Sequence, residues 1–273
     1  MSVIGTCKLC RRSGVELRDS HFLSKAAYKL LRKSQDGDSP IMMDSRVAIS
    51  TDLQVRDYVF CQECEDLFNK NGESWVLRNC SRHNEGFAIK AALNVESPVH
   101  VAENLTVYTA ASVRGVNVSK LAYFAASMFF KSSVHEWKSG RTPPARIRLG
   151  AKYENEIRSY LLGESPFPGN VFLWVSIVTD DQLAQYFMFP NGQREKDYWR
   201  YGFQVLGLDF TLFVGGLVPK NLRQFCFVHS SEHYIAMNKA ADAMLVRKLG
   251  KLSTKSKPVG SLKEWVEATH PKA

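Results

Sequence analysis

Apolar residues recur at different spacings along this chain, and the change in spacing near residue 94 divides the chain into two parts. Up to residue 94, short alternating stretches lie between polar turns, with one amphipathic helix predicted over Ser24–Lys33. Ser24 is placed to cap the N-terminus of that helix. Beyond residue 94 the apolar runs are longer. Val118–Trp137 predicts a long apolar helix, and Ala151–Leu162 predicts a second one.

Alternating stretches between Gly, Pro and Asn predict strands over Val99–Val116, Val171–Ile177, Gln185–Phe189, Tyr198–Leu206 and Leu208–Leu217. Apolar positions at helical spacing predict a closing helix over Ser231–Leu249. The predicted fold class is α+β. A first module over residues 1–94 precedes a mixed α+β domain over residues 95–250, and residues 251–273 form a basic tail.

Four of the six cysteines form two CxxC pairs, Cys7 with Cys10 and Cys61 with Cys64. This spacing lets both thiolates of a pair reach one ion, and four thiolates suit tetrahedral Zn²⁺. The second pair precedes a predicted helix that Asn71 and Gly72 interrupt. A treble clef tolerates the long segment between the pairs, so the sequence predicts a treble-clef module with a structural zinc.

The amino-acid composition and the net charge limit the class of protein and the kind of partner. The chain has 273 residues, of which 45% are hydrophobic and 23% charged, values that exclude whole-chain disorder. Its net charge of +9 favours a polyanion such as nucleic acid. No secretory signal and no apolar run of about 20 residues is found. We therefore expect a cytoplasmic protein with no membrane partner.

Two residues near the cysteines in sequence are candidates for catalysis or for binding a metal ion. His21 lies at the predicted end of a strand, where a histidine can act as a general base. Glu65 follows Cys64, and carboxylates on this helix can bind a hard cation such as Mg²⁺. Other interpretations remain open at this point. An acidic residue in the first turn also stabilises a helix N-terminus, and His21 can simply pack.

The order CKLC, DSHFLSK and CQECEDLF resembles the HNH (ββα-metal) endonucleases, and more closely a divergent bacterial group, some of whose members are linked to defence against mobile DNA. The resemblance covers residues 5–94. It implies metal-dependent hydrolysis of DNA phosphodiester bonds, with His21 activating a water molecule. It also implies a catalytic Mg²⁺ or Mn²⁺ near Asp19 and either Glu65 or Asn69.

The sequence departs from the family pattern at three points. Ser20 precedes His21 where the family has an acid, and Glu65 stands where many members have histidine. No orienting asparagine is identifiable between Ser45 and Phe60. These departures leave an alternative open, namely a catalytically inactive, zinc-stabilised module that binds nucleic acid or a protein partner in a larger complex.

Basic residues outside the motifs are candidates for contact with a phosphate backbone: Arg78, Arg82, Arg146 and Arg148. A solvated helix end explains the first two equally well. The chain has no Walker loop, nucleophile elbow or dinucleotide fingerprint. Nucleotide-driven and α/β-hydrolase functions therefore lack support.

Overall fold

The computed structural model describes residues 2–33, 41–43, 48–50, 54–83, 86–111, 113, 115–137, 146–180, 186–230 and 232–239. These residues form a mixed α+β structure, as the sequence predicted. The strands are β1 (Val3–Gly5), β2 (Val15–His21), β3 (Ile41–Met43), β4 (Ala48–Ser50), β5 (Arg56–Cys61), β6 (Arg82–His83), β7 (Gly86–Phe87), β8 (His100–Ala102), β9 (Leu105–Thr109), β10 (Val171–Ile177), β11 (Phe187–Arg194), β12 (Trp199–Val205), β13 (Leu208–Val214) and β14 (Tyr234–Asn238). The helices are α1 (Lys25–Lys33), α2 (Gln62–Phe68), α3 (Ser74–Asn79), α4 (Ala88–Asn94), α5 (Val118–Val134), α6 (Ala151–Leu161) and α7 (Lys220–Arg223), with a π-helical turn (Asn69–Glu73) between α2 and α3.

A small antiparallel sheet, in the order β1-β2-β5, carries the N-terminal motifs. Helix α1 follows β2, and the Ala27 amide donates to the Ser24 hydroxyl at 3.4 Å, which confirms the predicted cap. Tyr28 ties the helix to the segment before β5, because its hydroxyl accepts a hydrogen bond from the Val55 amide at 3.0 Å. This hydrogen bond links helix α1 to the segment that leads into the small sheet.

A nine-stranded sheet has the order β4-β3-β11-β12-β13-β10-β14-β9-β8. Most neighbours are antiparallel, but β3 pairs with β11 and β14 pairs with β10 in parallel. Strands β3 and β4 come from the segment between the two CxxC pairs, so that segment contributes one edge of the large sheet. The domain boundary at residue 94 stays a prediction.

Helix α5 is buried almost all round, from Leu121 to Ser133. A helix that is apolar on every face has to lie inside the protein. The ring of Phe124 in α5 lies 5.8 Å from the ring of Phe210 in the large sheet, and α5 also contacts the π-helical turn. Helix α5 therefore lies between the sheet and the helices that follow the second CxxC pair.

The predicted interruption at Asn71 and Gly72 takes the form of the π-helical turn. A Cβ atom on Gly72 would lie 2.9 Å from both the Cα and the backbone N of Phe124. Glycine is therefore required here by the close approach of α5. One extra residue in a helical turn rotates the side chains that follow it, and such turns recur at functional sites.

The predicted closing helix over Ser231–Leu249 is wrong where the structure describes it. Tyr234–Asn238 forms β14, between β10 and β9, and the rest of that prediction lies outside the described residues. Three consecutive residues of β14 are buried: Ile235, Ala236 and Met237. A strand covered on both faces loses its alternation, so its apolar run also fits a helical spacing.

No helix within the described ranges combines the length and the apolar character that crossing a bilayer requires. The basic tail over 251–273 lies outside the described residues.

We expect Gly72→Ala to lower the free energy of unfolding by about 1–3 kcal/mol, because the new methyl group meets backbone atoms of α5 that cannot move aside. Gly169→Ala is the matched control, since nothing lies within 4 Å of a Cβ atom there. Urea denaturation of both zinc-loaded variants measures the difference. Equal midpoints would contradict the close packing inferred here.

Candidate functional site

The two CxxC pairs come together in the fold. Cys7 and Cys10 lie in the turn after β1, Cys61 ends β5, and Cys64 lies in the first turn of α2. Their four Sγ atoms all lie within 4.8 Å of one another, and every one of these thiols except that of Cys10 is buried. This cluster can hold a structural metal ion such as zinc.

Hydrogen bonds around the sulfurs favour a thiolate at this position. The Cys61 amide donates to Cys7 Sγ at 3.4 Å. A hydrogen bond from Cys64 lowers the pKa of Cys7 to about 4, whereas burial raises the pKa of Cys61. The amide and thiol groups thus already stabilise negative charge on Cys7, which is the form that binds a metal.

Arg12 is a neighbour of the cluster that sequence analysis missed. Its Nε lies 3.5 Å from Cys10 Sγ, its Nη2 lies 3.7 Å from Cys61 Sγ, and its guanidinium also pairs with Glu63. Hydrogen bonding to Cys10 raises the pKa of Arg12 further above its usual range. A cation beside four sulfurs offsets the negative charge of a thiolate-bound metal. Its only sequence signal is a basic residue two positions after the first knuckle.

A pocket of about 310 Å³ opens between β2, the start of α1, α2 and the π-helical turn. The candidate catalytic residues His21, Glu65 and Asp19 all line it. The described residues that line it are Arg18, Asp19, His21, Ser24, Lys25, Gln62, Glu65, Asp66, Asn69 and Glu73. The pocket adjoins the cysteine cluster, because Glu65 directly follows Cys64 on α2.

His21 ends β2 and lies opposite Arg56 in β5. Its Nε2 atom is buried and has no hydrogen-bond partner among the described residues. Burial lowers the pKa of His21, and the positive charge of Lys25 lowers it further. The neutral imidazole is therefore favoured, and the free nitrogen of a neutral imidazole can accept a proton.

Glu65 is the second residue of the pocket with an unpartnered atom. Its Oε1 is buried without a hydrogen bond, and burial raises the pKa of Glu65, while the charge of Lys131 and a hydrogen bond with Ser20 lower it. In the described ranges, the other two side-chain atoms in this condition are Ser132 Oγ and Arg158 Nε. Two of the four buried, unpaired polar atoms thus belong to residues of one pocket.

The other carboxylates of the pocket already have partners. Asp19 Oδ2 lies 2.6 Å from Arg56 Nη1, and Asp66 Oδ1 accepts a hydrogen bond from Gln62 at 2.8 Å. Glu73 Oε1 lies 2.6 Å from Lys131 Nζ in a buried ion pair.

Asn69, named by the resemblance, accepts a hydrogen bond from the Ser74 hydroxyl. Among the described acidic residues of the lining, Glu65 is therefore the one with a buried, open oxygen.

The four arginines predicted to contact a phosphate backbone lie elsewhere, since none of them is in the described lining of the pocket. Arg78 is exposed in the last turn of α3, and Arg82 is half-buried in β6. Arg146 lies 3.6 Å from Glu136, and the side chain of Arg148 is exposed before α6. Contact between these residues and nucleic acid stays a prediction.

Two other cations do line the pocket, Arg18 on β2 and Lys25 at the start of α1. Both are exposed, and within the described part of the chain neither forms an ion pair. They flank His21 in sequence, but exposed basic residues are too common for their position to have been singled out from sequence alone.

No protein-family profile, curated protein or solved structure matches this chain. The geometry of the cluster and the pocket is therefore the basis for the functional proposal.

We expect the purified protein to contain about one zinc ion per chain, and Cys61→Ala to lose it, because four thiolates are needed to close a tetrahedral site. Cys80→Ala is the matched control, since Cys80 is buried but lies outside the cluster. Elemental analysis by mass spectrometry measures the metal content. Equal zinc content in the two variants would contradict the assignment of these ligands.

Proposed function

We propose that the chain is a metal-dependent, HNH-like endonuclease that hydrolyses DNA phosphodiester bonds. The observation that carries the proposal is the pair of buried, unpartnered atoms in one pocket, His21 Nε2 and Glu65 Oε1. A nitrogen that can take a proton and a carboxylate oxygen that can hold a cation are the two groups that this chemistry needs.

The proposal includes a treble clef around the cysteine cluster. Its support is the order of the elements, because a knuckle after β1 precedes the antiparallel strands β2 and β5, and the second knuckle begins helix α2. In this arrangement the zinc has a structural role. It holds the strand that carries His21 against the helix that carries Glu65.

The pocket residues fit a second, hard cation such as Mg²⁺ or Mn²⁺, which prefers oxygen ligands. Glu65 Oε1 is available to it, and Asp19 and Asn69 contribute further oxygen atoms to the same lining. When bound, such a cation neutralises phosphate charge and stabilises the leaving oxygen. Glu65 would hold it, and Asp19 is a second ligand if it exchanges its bond with Arg56.

His21 acts as the general base. Its neutral ring accepts a proton at Nε2 from the water molecule whose oxygen attacks the phosphorus atom. A side-chain hydrogen bond with Gln54 raises the pKa of His21 and partly offsets the effect of burial. Lys25 and the burial of the ring both oppose a permanent proton on His21, so the nitrogen is available at the start of the reaction.

The charges at the pocket suit a phosphodiester. Arg18 and Lys25 are free cations among the described residues of the lining, and they can contact the phosphates on either side of the cleaved bond. The positive charges at the pocket entrance match the negative charge of the DNA backbone. The carboxylate of Glu65 inside the pocket matches the divalent cation that the reaction requires.

We expect the zinc-loaded protein to cleave DNA with Mn²⁺ or Mg²⁺ and not with EDTA. His21→Ala should lower kcat by about 10²–10⁴, the usual contribution of a general base. Glu65→Gln should raise the cation concentration needed for cleavage. Plasmid, linear duplex, single-stranded DNA and RNA are compared in the same assay.

The matched controls are His100→Ala and Glu103→Gln, which change the same residue types outside the pocket lining. Cleavage that persists in His21→Ala would place the base elsewhere. Retained duplex binding without any cleavage by the native protein would favour the zinc-stabilised binding module instead.

We expect the double variant Arg18→Ala, Lys25→Ala to bind duplex DNA more weakly and with a shallower salt dependence. Each lost phosphate contact reduces the magnitude of the negative slope of log affinity against log salt concentration by about 0.9. The matched control is Arg194→Ala, Lys220→Ala, which removes the same charge from exposed residues outside the pocket. Equal slopes for the two double variants would contradict a role for the pocket cations. Fluorescence anisotropy over a salt series measures both.

A further inference from the structure

We propose that Lys131 is a positioning residue of the pocket, which holds Glu73 in a buried ion pair and so leaves Glu65 as the carboxylate available to a divalent cation. The inference rests on the proposed function, because it assigns how that cation is selected and placed. Lys131 comes from α5, outside the segment that carries the CxxC motifs.

The ion pair is almost completely shielded from water. Lys131 Nζ lies 2.6 Å from Glu73 Oε1, and the side chains are 1% and 9% exposed. The ammonium group also lies 4.7 Å from the centre of the Phe68 ring. Removing one member of such a pair leaves an uncompensated buried charge, so each charge fixes the other in place.

The backbone is held in place at both members of the ion pair. Trp137 is fully buried, and its Nε1 donates a hydrogen bond to the Lys131 carbonyl at 2.7 Å. Glu73 ends the π-helical turn, whose Gly72 lies directly against the backbone of α5 at Phe124. Lys131 therefore meets Glu73 in a fixed position at the wall of the pocket.

The charge of Lys131 decides how many carboxylates face a cation. Glu65 and Glu73 both line the pocket, and without Lys131 both would be open to a divalent ion. Two carboxylates bind such an ion more tightly than one, and the loss of a nearby positive charge strengthens the effect. The ion would also be drawn toward Glu73 and away from its place beside His21.

Tighter cation binding with slower cleavage is therefore the signature of this role. A residue that served only the stability of the fold would, when replaced, weaken both. The opposite change, Glu73→Gln, leaves the Lys131 charge unbalanced beside the pocket and should weaken cation binding.

The test is Mn²⁺ titration by calorimetry on the full, zinc-loaded chain, together with the cleavage rate at saturating Mn²⁺. Lys131→Met should bind Mn²⁺ at least tenfold more tightly and cleave at least tenfold more slowly. Glu73→Gln should bind at least tenfold more weakly. The double variant Lys131→Met, Glu73→Gln should bind within about threefold of the native protein, because the charge balance is restored.

Lys120→Met is the matched control on the same helix, since its ammonium group donates to the Lys70 carbonyl at 2.7 Å and does not contact Glu73. It should change neither quantity. If Lys131→Met does not fold, Glu73→Gln and the double variant still decide the matter, because a neutral replacement of a buried ion pair is usually tolerated.

If Lys131→Met and Glu73→Gln leave the Mn²⁺ affinity unchanged while Glu65→Gln still abolishes binding, this inference alone is overturned. Native protein that shows no Mn²⁺ binding dependent on Glu65 would overturn the proposed function, and this inference with it.

Discussion

The pocket depends on the cysteine cluster, because that cluster fixes the place where β2, β5 and α2 meet. Cys61 is the last residue of β5 and Cys64 lies in the first turn of α2, so a single ion bound there sets the angle between strand and helix. Strand β5 pairs with β2, which ends at His21. The strand that supplies the nitrogen and the helix that supplies the carboxylate are thus held together by one short junction. A metal ion bound by the four thiols would contribute its binding free energy directly to the folding of this sheet.

Most of the carboxylates that line the pocket are paired, whereas one carboxylate oxygen and one imidazole nitrogen are not. Asp19, Asp66 and Glu73 each have a partner of opposite charge or a hydrogen-bond donor. An unpaired polar atom in a buried place costs free energy, and native proteins keep few such atoms. The pocket contains two of them, His21 Nε2 and Glu65 Oε1, and a catalytic role or an ion bound between them accounts for such a cost.

Short-range spacing predicted the parts of the site that lie close together in sequence. The two CxxC pairs indicated the cluster, and the resemblance brought His21 and Glu65 into one hypothesis that the pocket geometry supports. Lys131 could not be found this way, because a buried lysine and a solvated one look alike in sequence and its partner lies on another helix. The closing helix failed for a related reason, since β14 is covered on both faces and carries no alternation. Local pattern predicts elements well, whereas their partners depend on distant segments.

The pairing of β3 with β11 has a consequence for the order in which this chain folds. Strand β3 lies between the two CxxC pairs, yet its neighbour is Phe187 and Met188, far along the chain. During synthesis the cysteines leave the ribosome long before that neighbour exists, so the cluster can close while β3 and β4 still lack their place in the sheet. Contacts between such distant segments form slowly because a long loop has to be closed first. Until β11 arrives, β3 and β4 present unpaired edges and apolar side chains, and such exposed edges favour aggregation of a nascent chain.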